Sequence, residues 1–329
     1  MTDYLHDKTG DDPAVAELEG LLGAYAHRAP LRELPPRRRG WRIPAVAGSI
    51  ALAAALVAIA IWRRGEDAGA GDCRTPGAGF AFAVDGGPAR CAGDVATRGT
   101  LPVGAWLETA VGATADVRVA DIGSLKVYGD SRVRLVGTGA AGHHLELARG
   151  RIAARVIAPP RLLVVDTPVA TAVDLGCAYE LAVESDGRTH LRVTSGAVSL
   201  EGHGMVAYAP IGSEVFAAAG RGPGTPVAIA ASPALRAAVA GFDTGDRSAL
   251  RGIIAAAGPR DTVTLWNLLS RTTGDDRAAV AARLDQLSPH PEAIALDRVV
   301  AGDAAAIERW RDDLEQHWLC PECFGARKR

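Results

Sequence analysis

Apolar residues follow three different periods along this chain. From Leu101 to Gly202 they recur at every second position in short runs separated by Gly, Asp, Ser and Pro. That is the period of strands with one buried face. The runs are Val117/Val119, Leu125/Val127, Val133/Leu135, Leu145/Leu147, Leu163/Val165, Val169/Thr171/Val173/Leu175, Tyr179/Leu181/Val183, Leu191/Val193 and Val198/Leu200, each predicted to point inward. Turn residues interrupt them at Gly123-Ser124, Gly129-Asp130, Gly137 to Gly142, Pro159-Pro160 and Asp186-Gly187, the last a hairpin signal. No long helix fits between these runs, which excludes a parallel α/β architecture. A sandwich, a rolled sheet or a short β-solenoid all fit the pattern.

Beyond Gly224-Thr225-Pro226 the period becomes helical. Leu235/Val239, Leu250/Ile253/Ile254, Val263/Leu265/Leu268/Leu269, Val280/Leu284/Leu287 and Ile307/Trp310/Leu314 fall on separate faces. Breaks at Gly245-Asp246, Gly258-Pro259, Gly274-Asp275, Pro289 to Pro291 and Gly302-Asp303 cut this part into helices of ordinary length. Trp266, Trp310 and Trp318 are expected to fill its core rather than to serve as contact anchors.

Before both periods, Ile43 to Trp62 reads IPAVAGSIALAAALVAIAIW without a charge. At 1.5 Å per residue such a helix spans a hydrocarbon core of about 30 Å. Arg37, Arg38, Arg39 and Arg42 precede it, and Arg63 and Arg64 follow it just before Glu66 and Asp67. The positive-inside rule therefore predicts a signal anchor with a cytoplasmic N-terminus, flanked at the interfaces by Arg39, Arg42, Trp62 and Arg63. In residues 1–42, Asp12-Pro13 supplies a helix start ahead of Val15, Leu18, Leu21, Leu22 and Tyr25, which share one face. One short amphipathic helix is marginal alone. The head is thus read either as a partner-binding helix or as a leader that only positions the anchor. The expected division is a head with a basic linker at 1–42, a transmembrane helix at 43–62, an extracytoplasmic linker with a hairpin-like segment at 63–100, an all-β module at 101–225 and an all-α module at 226–329.

The ordered series VRVADIGSLKVYGDSRVRLV, LELARGRIAARV, LLVVDTPVATAVDLGCAYELAV and LRVTSGAVSLEG resembles a FecR domain over roughly Leu101 to Gly202. Leu147/Gly150, Val165/Thr167/Pro168, Leu175/Gly176 and Val193/Gly196/Val198 occupy the family's motif positions. The departure is Cys177-Ala178-Tyr179, where the family usually carries Thr, a variable residue and Phe. The resemblance implies a periplasmic sensor or regulatory domain in an inner-membrane protein that passes an external signal to a cytoplasmic sigma factor. The opening DYLHDKTGDDPAVAELEGLL is similar to the first helices of an anti-sigma region, though it is short and lacks the His and Cys set of zinc-type heads.

Composition adds exclusions. A formal charge of −2 gives no reason to expect direct nucleic-acid binding. Five cysteines are too few for a disulfide scaffold in a chain of 329 residues. Cys73 and Cys91 flank a Gly-rich stretch and are disulfide candidates, which leaves Cys177 as a buried thiol. Cys320 and Cys323 form a CxxC with His317 nearby, read as a disulfide, as three ligands of a zinc site or as a redox pair, the disulfide being favoured outside the cytoplasm. Gly137 to Gly142 matches GxGxxG, but strands on both sides make it a turn rather than a phosphate cradle. His143 and His144 are adjacent in a strand and point to opposite faces. Glu146 is expected to pair with Arg149 or Arg151 on a solvated face. No GxSxG elbow, HExxH helix or P-loop occurs. No enzyme and no cofactor are therefore expected. The function expected is a single-pass signal regulator with a possible sigma factor at its head, and the alternative is an envelope structural or interaction protein with a protein or cell-wall partner.

Overall fold

Alternating strands need a second apolar surface to cover their buried face. In this protein that surface is another sheet. The computed structural model describes residues 72–74 and 79–319. The head, the 43–62 segment and Cys320 to Arg329 lie outside them.

One sheet orders β4 (Arg98–Pro102), β1 (Gly79–Asp85), β6 (Thr114–Val119), β7 (Gly123–Val127), the second half of β9 (Gly142–Val156), β12 (Ala178–Val183), β13 (Thr189–Ser195) and β16 (Ser213–Ala218), with short β17 (Gly222–Pro223) and β18 (Val227–Ala228) beyond. The other orders β3 (Asp94–Ala96), β2 (Ala89–Cys91), β5 (Trp106–Thr109), β8 (Arg132–Gly139), the first half of β9, β10 (Leu163–Asp166), β11 (Thr171–Asp174), β14 (Ala197–Gly202) and β15 (Met205–Pro210). Every pairing is antiparallel except β9 with β10. The chain alternates between the layers and advances along both in step, so the module is a two-layer sandwich wound like a flattened solenoid. The inward residues of both sheets, from Phe80 to Ala217, form one core.

Most of the expected inward positions are buried as read. Val169 packs against the sandwich core as read, and the run from Thr171 to Leu175 is the correction. Ala172 joins the sandwich core, whereas Leu175 packs against the helical core and Val173 shares its side of the sheet. The inward phase is therefore inverted there, because a second apolar layer covers the outer face of this sheet end and makes the outward residues apolar too. Residues 63–100, read as a linker with a hairpin-like segment, contain β1, the β2–β3 hairpin and the start of β4. Within this segment the disulfide between Cys73 and Cys91 ties Cys73 to the end of β2. Gly123 and Ser124 lie in β7, not in a turn. Glu146 pairs across strands with Arg134, while Arg149 reaches Glu108 and Asp130 and Arg151 reaches Glu180.

The helical module comprises α1 (Pro233–Asp243), α2 (Ala249–Ala256), a 3-10 turn at Pro259–Asp261, α3 (Thr262–Leu269), α4 (Gly274–Leu287), α5 (Leu296–Ala301) and α6 (Ala304–Trp318). Ser232 caps α1 by accepting the Leu235 N–H, with Pro233 in the first turn. Gly302 ends α5 in the left-handed region, and Asp303 then caps α6 by accepting the Ala306 N–H. Gly274 opens α4 rather than breaking a helix. Every residue of α3 is buried, which makes it the central helix. Trp266, Trp310 and Trp318 all lie in this core. Among the described residues no helix is long and apolar enough to cross a membrane.

Candidate functional site

Positions that carry the sequence motifs sit where the sandwich changes layer. Leu147 is fully buried, and Gly150 is the residue at which β9 leaves one sheet for the other. Its φ is +86°, and a Cβ there would run into the side chain and backbone of Ser131. Ser131 is itself buried. It accepts the Arg151 N–H at 2.9 Å and donates its own N–H to Thr109 Oγ1 at 3.1 Å. Thr167 closes the turn before β11 by donating to the Ala170 carbonyl at 2.7 Å and accepting its N–H at 3.1 Å. Gly196, at φ +65°, lies against the Gly176 carbonyl with no room for a side chain.

Between these glycines lies a buried polar group. Asp174 accepts the Gly176 N–H at 3.0 Å and the Cys177 thiol proton. Burial raises the Asp174 pKa despite those hydrogen bonds, and burial with the adjacent carboxyl pushes the Cys177 thiol up. The thiol is thus protonated at neutral pH and acts as a donor, the role a hydroxyl would fill at the same place. Cys177 is the free cysteine among the described residues.

The two modules are joined through β15. This strand ends its sheet, so its outer backbone groups need partners from elsewhere. Asn267 on α3 supplies them. Its Oδ1 accepts the Tyr208 N–H at 3.0 Å, and its Nδ2 donates to the Tyr208 carbonyl at 3.0 Å and to the Val263 carbonyl at 2.9 Å. Around that clamp the rings of Tyr208, Trp266 and Trp318 meet edge-on or tilted at about 6 Å. Thr264 donates to the Pro226 carbonyl at 2.8 Å, and Trp318 Nε1 donates to Thr262 Oγ1 at 2.9 Å.

Beside the joint, a cleft of about 920 Å³ opens between β15, the β16–β17 edge and α1. Phe216 forms part of its wall. The ring is stacked 4.2 Å from His190 and leaves the residue 41% exposed. Val206, 55% exposed, lines the same cleft with Met205 and Pro223. Glu214 is bound by Arg236 and by His190, so that, against the effect of burial, its pKa is held below the ordinary carboxylate value. Asp243 accepts the Thr225 N–H at 2.8 Å and its hydroxyl at 2.7 Å. A cleft of this size with an apolar wall and several guanidinium groups can bind a ligand.

Cys73 and Cys91 are bonded to each other. His317 lies on α6, whereas Cys320 and Cys323 fall outside the described residues, as do Val15, Leu18, Leu21, Leu22, Tyr25, Arg39, Arg42, Trp62 and Arg63. Among the described residues no group of three His, Cys, Asp or Glu side chains is placed to hold a metal ion. Gly137 to Gly142 forms the β8–β9 hairpin, where His143 meets Thr138 and His144 meets Asp166. Asn267, Arg271 and Phe216 were not legible as site residues. The available signal was the loss of alternation in β14 and β15, whose residues Ala197 to Leu200 and Ala207 to Pro210 are buried on both faces.

Residues 105–199, spanning from just before β5 into β14, match the family model described as "FecR protein". No curated protein matches the chain. Two crystal structures of a candidate anti-sigma factor from Parabacteroides distasonis, at 1.65 and 2.50 Å, are similar at 16% identity and a TM-score of 0.32. Each match covers 36% of this chain and 56% of the other, so the likeness spans about half of those structures.

Proposed function

We propose, from the FecR domain at residues 105–199, that this chain is a membrane-anchored signal regulator rather than an enzyme. Its β and helical modules face the periplasm and receive a signal. Its head, residues 1–42, binds or releases a cytoplasmic sigma factor. The observation that carries the reading is the FecR match in a chain whose apolar stretch, Ile43 to Trp62, precedes the matched domain and is preceded by an arginine cluster. The packing agrees with a receiving body of one piece, because the helical core includes Ala197, Tyr208 and Val227 of the β-module. A change at the helices therefore has a direct mechanical route into the sandwich.

Two measurements test this. Reporter fusions at each terminus are expected to place the N-terminus in the cytoplasm and the C-terminus outside. Affinity capture of the full chain is expected to retrieve a sigma factor, and a chain lacking residues 1–42 is expected to lose it and to alter transcription of the controlled genes. A headless chain that leaves transcription unchanged while retaining a stable envelope complex refutes the regulator reading in favour of an envelope interaction protein.

A further inference from the structure

The cleft beside α1 carries more positive charge than its own carboxylates neutralise. Arg188, Arg221, Arg236, Arg247 and Arg271 line it, against Glu214 and Asp243. Arg236 is taken up by Glu214 and by the carbonyls of Ala228 and Ile229. Arg188 is paired with Glu184 and Asp186 at the rim. Among the described residues the other three have no carboxylate within ion-pairing distance. Arg221 is exposed, and among the described residues its guanidinium makes no hydrogen bond or ion pair. Arg247 donates weakly to the Arg271 carbonyl at 3.4 Å and lies over the Phe242 ring at 5.2 Å. Arg271, partly buried at the base, donates to the carbonyls of Pro223 and Gly224 at 3.0 Å each and of Val206 at 3.5 Å, and its Nε is buried without a partner. The charge of Asp243 acts on Arg271 from outside ion-pairing distance, and that carboxylate is already committed to Thr225.

Burying a guanidinium without a counter-charge is costly, and a carboxylate matches its planar fork. The wall facing these groups is apolar, with Phe216 and Val206 both exposed to the cleft. The volume lies within the range of about 300–1,000 Å³ typical of ligand pockets, far more than a lone inorganic anion needs. We infer that the cleft binds an organic anion with an aromatic or aliphatic body and one or two carboxylates, the body lying on Phe216 and Val206 and the carboxylates meeting Arg221, Arg247 and Arg271. As the signal-receiving site of the regulator, this inference rests on the reading proposed above, whereas binding itself does not depend on the head.

The test is calorimetric titration of the full chain in lipid nanodiscs with N-acetyl-phenylalanyl-aspartate and, separately, with benzylsuccinate, which has the same groups without a peptide. Saturable one-to-one binding is expected for at least one of them. Tighter binding of the dipeptide assigns an acidic peptide as the source, and tighter binding of benzylsuccinate assigns a small-molecule acid. The double variant R221E/R247E is expected to weaken binding by about tenfold or more, while R118E, the same type of reversal at an exposed arginine outside the cleft, leaves it within about twofold. Circular dichroism of each variant establishes that the fold is kept. No saturation with either probe, equal binding of benzylsuccinamide, the neutral diamide of the second probe, displacement by equimolar inorganic phosphate, or an equal loss in R118E each overturns the inference. A chain that binds normally but exerts no transcriptional control keeps the site and refutes the regulator; the converse keeps the regulator and refutes the site.

Discussion

Replacing Asn267 by Leu tests whether the two modules are fastened by one amide. The substitution keeps much of the side-chain volume, so little of its effect comes from a cavity. It removes both hydrogen bonds to the Tyr208 backbone, at 3.0 Å each, in a place where Asn267 is only 2% exposed. The Val263 carbonyl loses its amide donor too, but it is a helix carbonyl with a ladder partner. The cost therefore falls on one N–H and one C=O of an edge strand buried under α3. A buried unsatisfied polar group costs about 1–3 kcal/mol, with carbonyls the more tolerant of the two, so roughly 2–5 kcal/mol is expected. Urea unfolding followed by tryptophan fluorescence reads this directly, because Trp266 and Trp318 border Tyr208. The variant is expected to shift the midpoint down and to separate a helical transition from a later sandwich transition. Ser270→Ala on the next turn, which loses only a partly buried bond to the Asn267 carbonyl, is expected to stay near the parent chain. If N267L unfolds in one transition within about 0.5 kcal/mol of the parent, the clamp contributes nothing measurable and the reasoning about the β15 edge is wrong.

Three further outcomes follow from the same geometry. Gly150→Ala forces an L side chain into positive φ and against Ser131, and is expected to cost roughly 2–4 kcal/mol in thermal or chemical unfolding. Cys177→Val removes the proton donor to the buried Asp174 carboxyl and is expected to cost about 1–3 kcal/mol, whereas Cys177→Thr restores a donor and stays within about 1 kcal/mol; equal losses in both would show that volume, not hydrogen bonding, decides the position. Glu214 has a folded pKa below its unfolded value, held there by Arg236 and His190 against the effect of burial, so its contribution is complete above about pH 4.3 and is lost as pH falls through the folded value. An E214Q chain is therefore expected to show a shallower fall in melting temperature over that acid window, and an unchanged slope would refute the assignment.

How much of this was legible beforehand depends on where each residue's partner lies. The alternation of Val117 to Leu200 predicted the strands and nearly all of their inward faces, because a sheet with one covered face leaves a period of two in the sequence. The helices were equally readable from Leu235/Val239 and Ile307/Trp310/Leu314, since their breaks are local Gly, Pro and Asp signals. The glycines of the matched domain were visible as letters, but only the fold says why they are glycine: Gly150 turns β9 from one sheet into the other, and Gly196 passes against a carbonyl. The sequence also could not separate the strands β1 to β4 from a linker, because β2 to β4 have only three to five residues and the Phe80 to Val84 run of β1 is apolar at every position, so neither leaves a period of two.

What the chain determined by itself was therefore local: the strand and helix periods, their main breaks and the unbroken apolar stretch from Ile43 to Trp62. What tertiary structure decided was every relation across distance. Leu175 faces outward because helices cover that end of the sheet, and a period of two cannot reveal which side a second layer will occupy. Asn267 reaches Tyr208 across 59 residues, and Arg271 reaches Pro223 across 48. Backbone partners at such separations leave no spacing in the sequence, since a carbonyl or an N–H is offered by any residue type. The joint and its cationic cleft exist only once the helices have folded onto the edge of the sandwich.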